Sequence, residues 1–525
     1  MQAHCKRHTD LPHTTKLFSD LLYHFDRVAP FYPHPPTDWH SYQTSADTLD
    51  YPAGRRGELV AVLREQNGES PLLDAMAQPD TFAVVTGQQV GLFSGPAYTI
   101  YKALTAVRLA SQLNQRGIRS VPVFWLATED HDFAEVSSCR LFDAAHKPVL
   151  AGLNHAGAGN RPVGGIEIEA PPAGLLAEAL NGFPFGEEVI AIVREAYQPG
   201  RTLGEAFFHL VRRLLGPFPI LFFDPMKPRA RSLAAPVLRK AIEEADDLTQ
   251  TLLERNRQLL AAGYHAQVHV EPHTSLFFLL EGGQRVSLKR KSGAYYANDR
   301  RLEREQLLER AESVSPSATL RPVVEDFMLP TVAYIGGPAE LAYLAQSEVI
   351  YRRLLGRMPV AVSRNGFTLI DARSQKLLER YRLTLDSFFD GEEALRERIA
   401  ASLTPPEIAR AFEEVSAATD RNLAGLHRTI GSFDETLAGA LTKSSAKIRY
   451  QIEKMQRKVA RESLRRSERA GEDASYMFNV LYPQKHLQER FYTILPFLAR
   501  HGLDLVGRLY ENIHIDCPDH HLLFL

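Results

Sequence analysis

The chain has 525 residues, 44% hydrophobic and 24% charged, which excludes wholesale disorder and, at about 150 residues per domain, implies three or so units. Basic residues number 61 against 63 acidic ones, and the net charge of −2 excludes a surface built throughout for nucleic acid. No apolar run reaches the roughly 18 residues of a bilayer span, and the start of the chain lacks the apolar stretch of a signal peptide, so a cytoplasmic protein without membrane attachment is expected.

The first clear unit begins at Thr81. Thr81 to Thr86 is a β-branched apolar run that reads as a buried strand. A loop with Gly87, Gly91 and Gly95 follows, and a helix is expected to start near Ser94 to Pro96, with Ser94 as cap. Ile100, Leu104 and Val107 give that helix an apolar stripe, and Gly117 stops it. Val121 to Ala127 is the next strand, which completes a strand–helix–strand unit of a parallel sheet. From about Ala145 to Gly200 the chain is rich in Gly and Pro and reads as an insertion; a second insertion is expected near 265–315. Pro219 to Phe223 is a further buried strand. Thr331 to Ile335, the Gly336-Gly337-Pro338 turn, a helix from Glu340 to Leu355 and a strand from Met358 to Val362 repeat the grammar. The fold class expected for residues 1–380 is α/β, a doubly wound parallel sheet.

Residues 381–470 read as a coiled coil, because Val415, Leu426, Ile430, Leu437, Leu441, Ile448, Ile452, Met455 and their neighbours recur mostly in steps of three and four. Gly431 and Ser432 mark either a turn between two antiparallel helices or a point within one long helix. Residues 471–525 return to mixed sequence, with a helix expected from His486 to Ala499 and a strand-like end that packs back on the core.

Ligands of open α/β sheets sit beyond the carboxyl ends of the strands. That rule selects Gly87 to Ser94, Thr128 to Asp132 and Gly336 to Glu340. The glycine loop suits an anion, approached by backbone N–H groups, a helix N-terminus and Lys102, which lies one turn beyond Tyr98. Its spacing matches neither the dinucleotide fingerprint nor the phosphate loop with lysine. Asp132 and Glu135 form a capping pair for the next helix, which leaves Asp130 and His131 as the candidates for chemistry, able to orient a base, bind a metal or grip an amine. Glu340, Tyr343, Arg364 and Asn365 reach the same crevice from the second half of the sheet. The basic run from Lys443 to Arg469 reads as a solvated helix face, and Lys289 to Ser292 as a hairpin tip. Cys5, Cys139 and Cys517 are far apart, and His514, His520 and His521 follow no ligand spacing, so no metal site is expected from local spacing.

Thr86-Gly-Gln-Gln-Val-Gly-Leu-Phe-Ser-Gly-Pro-Ala-Tyr-Thr-Ile-Tyr-Lys102 resembles a signature of the bacillithiol-biosynthesis cysteine-adding enzymes, the cysteine ligase family BshC. Phe124 to Val136, Leu329 to Tyr343 and Leu487-Gln-Glu-Arg490 carry the same resemblance over most of the chain. It implies a Rossmann-like core related to class I nucleotidyl transferases, with connecting-peptide insertions and an antiparallel coiled coil that forms a homodimer. It also implies amide formation between the carboxyl of cysteine and the amine of glucosaminyl-malate, with ATP or ADP as the associated nucleotide. Together with these blocks the candidate substrate-binding set is Thr86, Gly87, Gln88, Gln89, Ser94, Gly95, Tyr98, Lys102, Trp125, Glu129, Tyr334, Gly336, Gly337, Glu340 and Arg364. Where class I adenylating enzymes carry an H-x-G-H-type motif, this chain reads Ser94-Gly-Pro-Ala-Tyr98, so the route of activation stays open. A non-catalytic coiled-coil scaffold and an RNA-binding relative of the class I aminoacyl-tRNA synthetases are the alternatives.

Overall fold

A computed structural model describes residues 3–154, 159–291 and 293–525. Its centre is a five-stranded parallel sheet in the spatial order Val360–Ser363, Thr331–Gly336, Phe82–Gln88, Ser120–Leu126, Leu221–Phe223. The α/β reading therefore holds. These strands are nearly continuous apolar runs because both faces of the sheet are covered. Val85, Val123, Trp125 and Phe223 enter one core, while Phe124 and Phe222 enter another with Ile100 and Leu104 on the opposite face. The chain leaves Phe82–Gln88 for the neighbour on one side and reaches the other neighbour only at Thr331–Gly336, so the strand order reverses there. A crevice at the carboxyl ends results.

The helix after the glycine loop runs Tyr98–Gln115, later than expected, and Ser94 does not cap it. Phe93, Ser94 and Gly95 all take positive φ, at 51°, 73° and 65°, which folds the loop back on itself. A Cβ on Gly91 would lie 3.1 Å from Gly95 Cα, so two backbones touch where the glycines stand.

The chain from Ser138 to Ala196 contains an antiparallel hairpin, Ser138–Phe142 with Pro148–Gly152, and two helices, Ala173–Leu180 and Gly186–Ala196. A separate five-stranded antiparallel sheet spans Thr274 to Pro316. Within it Gln284–Lys291 pairs with Ala294–Ala297, so Lys289 to Lys291 lie on a strand beside the hairpin turn; Ser292 lies outside the described residues.

The coiled-coil segment is a hairpin of two long helices, Pro406–Gly431 and Glu435–Arg465. Asp434 caps the second by accepting from Leu437 N at 3.0 Å, and Arg449 meets Asp420 across the pair at 2.6 Å. The single helix expected from His486 to Ala499 is instead two short ones, Gln488–Phe491 and Leu495–His501. Pro496 falls in the first turn of the second, where its missing N–H leaves no intrahelical bond unmade, so it suits a helix that restarts after Tyr492. A third sheet joins distant segments: His520–Phe524 pairs antiparallel with Ala3–Lys6 and parallel with Gly366–Ile370. Among the described residues no helix is long and apolar enough to cross a membrane.

Candidate functional site

The ends of four parallel strands open onto a cavity of about 420 Å³. Gly87, Gln88, Gln89, Tyr98, Lys102, Trp125, Glu129, Asp130, Gly337, Glu340 and Arg364 line it, so most of the expected set converges there. Gly87 admits the close approach of its neighbour strand, since a Cβ there would lie 3.2 Å from Trp125 Cβ. Thr86 is buried below the floor and donates to Ile335 O at 3.0 Å. Ser94 is buried within the glycine loop, and Gly95 faces a smaller adjoining cavity. Tyr334 and Gly336 are buried beneath Glu340. His131 stands outside the lining, against Arg285.

Lys102 is 2% exposed and has all three of its protons engaged. Its Nζ donates to Gly87 O at 2.8 Å and Gln88 Oε1 at 3.0 Å, and ion-pairs with Glu340. Burial pushes the ammonium down, and the Glu340 carboxylate opposes that shift. Glu340 also accepts from Tyr334 Oη at 3.0 Å and Gly337 N at 2.8 Å. Burial alone would raise its carboxyl, yet Lys102, the Gly337 N–H and the Arg321 charge hold it below the ordinary range. Lys102 thus ties the glycine loop to the second half of the sheet. Three of the loop amides are similarly occupied: Phe93 N donates to Tyr197 Oη at 2.8 Å, Gly91 N to Gln89 O and Gly95 N to Leu92 O. These three amides are therefore engaged within the protein.

The acidic segment divides by partner. Glu129, buried, accepts from Ser315 Oγ at 2.9 Å and pairs with Arg231 at 3.4 Å, so it anchors the inserted sheet. Asp132 caps the short helix after it, accepting from Glu135 N at 3.1 Å. Asp130 is partly exposed and accepts from Gln89 Nε2 at 2.7 Å and His131 N at 2.7 Å. Burial raises its carboxyl, but Gln89, the Arg285 charge and the two backbone donors outweigh that and keep it anionic. Arg285 Nη1 donates to His131 Nδ1 at 3.0 Å. Because a guanidinium only donates, this nitrogen of His131 is an acceptor and its proton sits on Nε2. Burial and Arg285 both push the imidazole down, so His131 is neutral and its Nδ1 lone pair is spent.

Three arginines absent from the expected set complete the walls. Arg285 also donates to Ser315 Oγ at 3.0 Å and Pro316 O at 2.8 Å. Arg321 pairs with Glu325 at 2.7 Å and donates to Tyr343 Oη at 2.6 Å. Arg490 is the exception: its side chain is exposed at the mouth, with no hydrogen bond or ion pair among the described residues. Burial of its surroundings and the Arg364 charge press against its own charge, which favours an arriving anion. Arg490 lies in the Leu487-to-Arg490 block, the one signal that pointed to it; Arg285 and Arg321 sit in patterns that read as ordinary strand and helix.

Two family profiles match the chain: Bacillithiol biosynthesis BshC, N-terminal Rossmann-like domain, over residues 2–365, and Bacillithiol biosynthesis BshC, C-terminal coiled-coil domain, over residues 367–525. A protein of Solibacter usitatus named "Putative cysteine ligase BshC" is 53% identical, covering 100% of each chain. Proteins of the same name from Koribacter versatilis, at 36% with 98% of each chain covered, and Salinibacter ruber, at 32% with 97% of this chain and 96% of the relative covered, are also similar.

Proposed function

Because the chain belongs to the BshC family of bacillithiol biosynthesis, we propose that it is a cysteine ligase that joins the carboxyl of cysteine to the amine of glucosaminyl-malate through an amide bond. The observation that supports this most is the pairing of charges in the cavity: an anionic Asp130 on one wall and, at the mouth, an Arg490 without an ion pair among the described residues. Glucosaminyl-malate offers the complement, one ammonium and two carboxylates. In this reading Asp130 holds the ammonium, and Arg490 holds a malate carboxylate. His131 orients Arg285 beside Asp130 rather than taking a proton at Nδ1.

An amide forms when the amine nitrogen attacks the carboxyl carbon and one carboxyl oxygen leaves, which an unactivated carboxylate does not allow at useful rates. A bound nucleoside triphosphate, ATP in our reading, would supply that activation. The side chain of Arg140, which flanks the adjoining cavity, fits one of its phosphates and leaves Arg490 to the malate.

The same proposal includes a homodimer formed by the helical hairpin. Phe433 is 84% exposed, and Val415, Leu426, Leu437 and Met455 leave a further apolar seam open to solvent. It places the reaction in the cytoplasm, a compartment compatible with three free cysteines. Purified protein incubated with cysteine, glucosaminyl-malate and ATP should yield bacillithiol, read by mass spectrometry together with AMP or ADP. Asp130→Asn should lower that rate by about 100-fold; an unchanged rate in a folded variant overturns the assignment of Asp130.

A further inference from the structure

Cys5 and Cys517 stand 512 positions apart, yet their sulfurs lie 3.7 Å from each other. The Cys5 Sγ is also 3.5 Å from His521 Nδ1, and the three atoms all fall within 4.8 Å of one another. We propose that Cys5, Cys517 and His521 form a zinc site that clips the strand Ala3–Lys6 to the strand His520–Phe524, with water in the fourth position on the exposed side of Cys5.

The spacing carries the argument. With Zn–S near 2.3 Å and Zn–N near 2.05 Å, a tetrahedron has sulfur–sulfur edges of ~3.8 Å and sulfur–nitrogen edges of ~3.5 Å. The two contacts made by Cys5 match those edges. A disulfide would need the sulfurs at about 2.05 Å and has no use for an imidazole at the same corner. Two thiolates with one imidazole are soft donors, which select zinc over magnesium or calcium.

The donors are also held in place independently of any ion. Cys5 faces His521 directly in the antiparallel register, so both side chains leave the same face of the sheet. The His521 ring lies on Phe367 at 5.3 Å and 29°. Cys517 closes a turn, its N donating to His514 O at 3.2 Å, and Asn365 pins that turn by donating to His514 O at 3.2 Å and accepting from His514 N at 2.7 Å. Binding releases the two thiol protons to solvent as the sulfurs become thiolates. Because the ligands come from opposite ends of the chain, no local spacing announces them. The proposal is independent of the ligase reading.

The test uses the full chain, stripped with a chelator under reducing conditions and titrated with zinc alone against a chromophoric competitor. One equivalent per chain is expected, and cobalt in its place should give thiolate-to-metal charge-transfer absorption. Cys5→Ser and Cys517→Ser should each weaken zinc by at least about 100-fold, whereas Cys139→Ala, whose thiol is elsewhere in the core, should keep the equivalent. Failure of the parent protein to bind, equal affinity in Cys5→Ser and Cys517→Ser, or isolation of the pair as a metal-free disulfide lighter by two hydrogens would each overturn it.

Discussion

Arg364 grips Glu489 through two parallel hydrogen bonds of 2.9 and 2.6 Å, with both side chains almost fully buried. One residue ends a strand of the Rossmann-like region and lines the cavity; the other belongs to the C-terminal region and also accepts from Phe367 N at 3.0 Å. The pair therefore fixes the segment that carries Arg490 against the strand ends. Glu489→Gln leaves a buried guanidinium uncompensated and should cost about 3–5 kcal/mol in urea denaturation. Burial raises the Glu489 carboxyl, but Arg364 overrides this and holds it at about 2, below the ordinary 4.5. Its contribution is thus complete above about 4.5 and is lost as pH falls toward 2, a dependence that Glu489→Gln should lack.

Among the described residues Arg490 has no hydrogen-bond or ion-pair partner to lose. Arg490→Gln should raise the KM for the acidic co-substrate by about 10–100-fold and move folding stability by less than about 0.5 kcal/mol. Arg490→Lys should recover part of the affinity. An unchanged KM in steady-state kinetics would remove Arg490 from the substrate site.

Glu325 behaves in the opposite sense to Glu489. Burial raises its carboxyl to about 8, with Arg321 opposing and Glu340 and Asp326 adding to the rise. Its Oε1 has no hydrogen-bond partner among the described residues. The protonated form is stabilising, so its contribution is present below the ordinary 4.5 and is lost as pH climbs through 8. Glu325→Gln mimics the protonated acid. Its stability should match the parent only below about pH 4.5 and exceed it by a margin that grows from there to about pH 8 when both are unfolded in urea, and a constant difference from pH 4 to pH 9 would contradict the assignment.

The helical hairpin gives a test of association. Leu426→Glu combined with Met455→Glu places charge on the exposed seam while keeping helix propensity. Sedimentation should show a dimer for the parent and a monomer for the variant, with little change in the unfolding midpoint of the core. A dimer that survives these changes would move the interface elsewhere.

Much of the architecture could be read from local pattern. Val84-Val85 and Val121 to Leu126 announce buried strands, and the rule that ligands gather at their carboxyl ends leads to Gly87, Asp130 and Glu340. What local pattern hides is convergence. Arg285, Arg321 and Arg490 reach the cavity from a hairpin, a helix and the C-terminal region; the first two are unremarked basic residues there, and only the Leu487-to-Arg490 block points to the third. Backbone conformation is hidden too. Ser94 has the chemistry of a cap, but its φ of 73° turns it into the loop. Lys102 has the chemistry of an anion ligand, and only its three neighbours reveal that its protons are already given away.

The strand Ala3–Lys6 pairs with His520–Phe524, and Cys5 finds its partner His521 516 positions later. At 5–20 residues per second, a ribosome that has made Cys5 needs ~25–100 s to reach His521. Throughout that interval the early strand has no edge to join, while the parallel sheet between them is already being assembled. Its docking is therefore among the last events in the life of the nascent chain, and a pause or premature stop late in the message would release a protein with a formed core and an open β-edge.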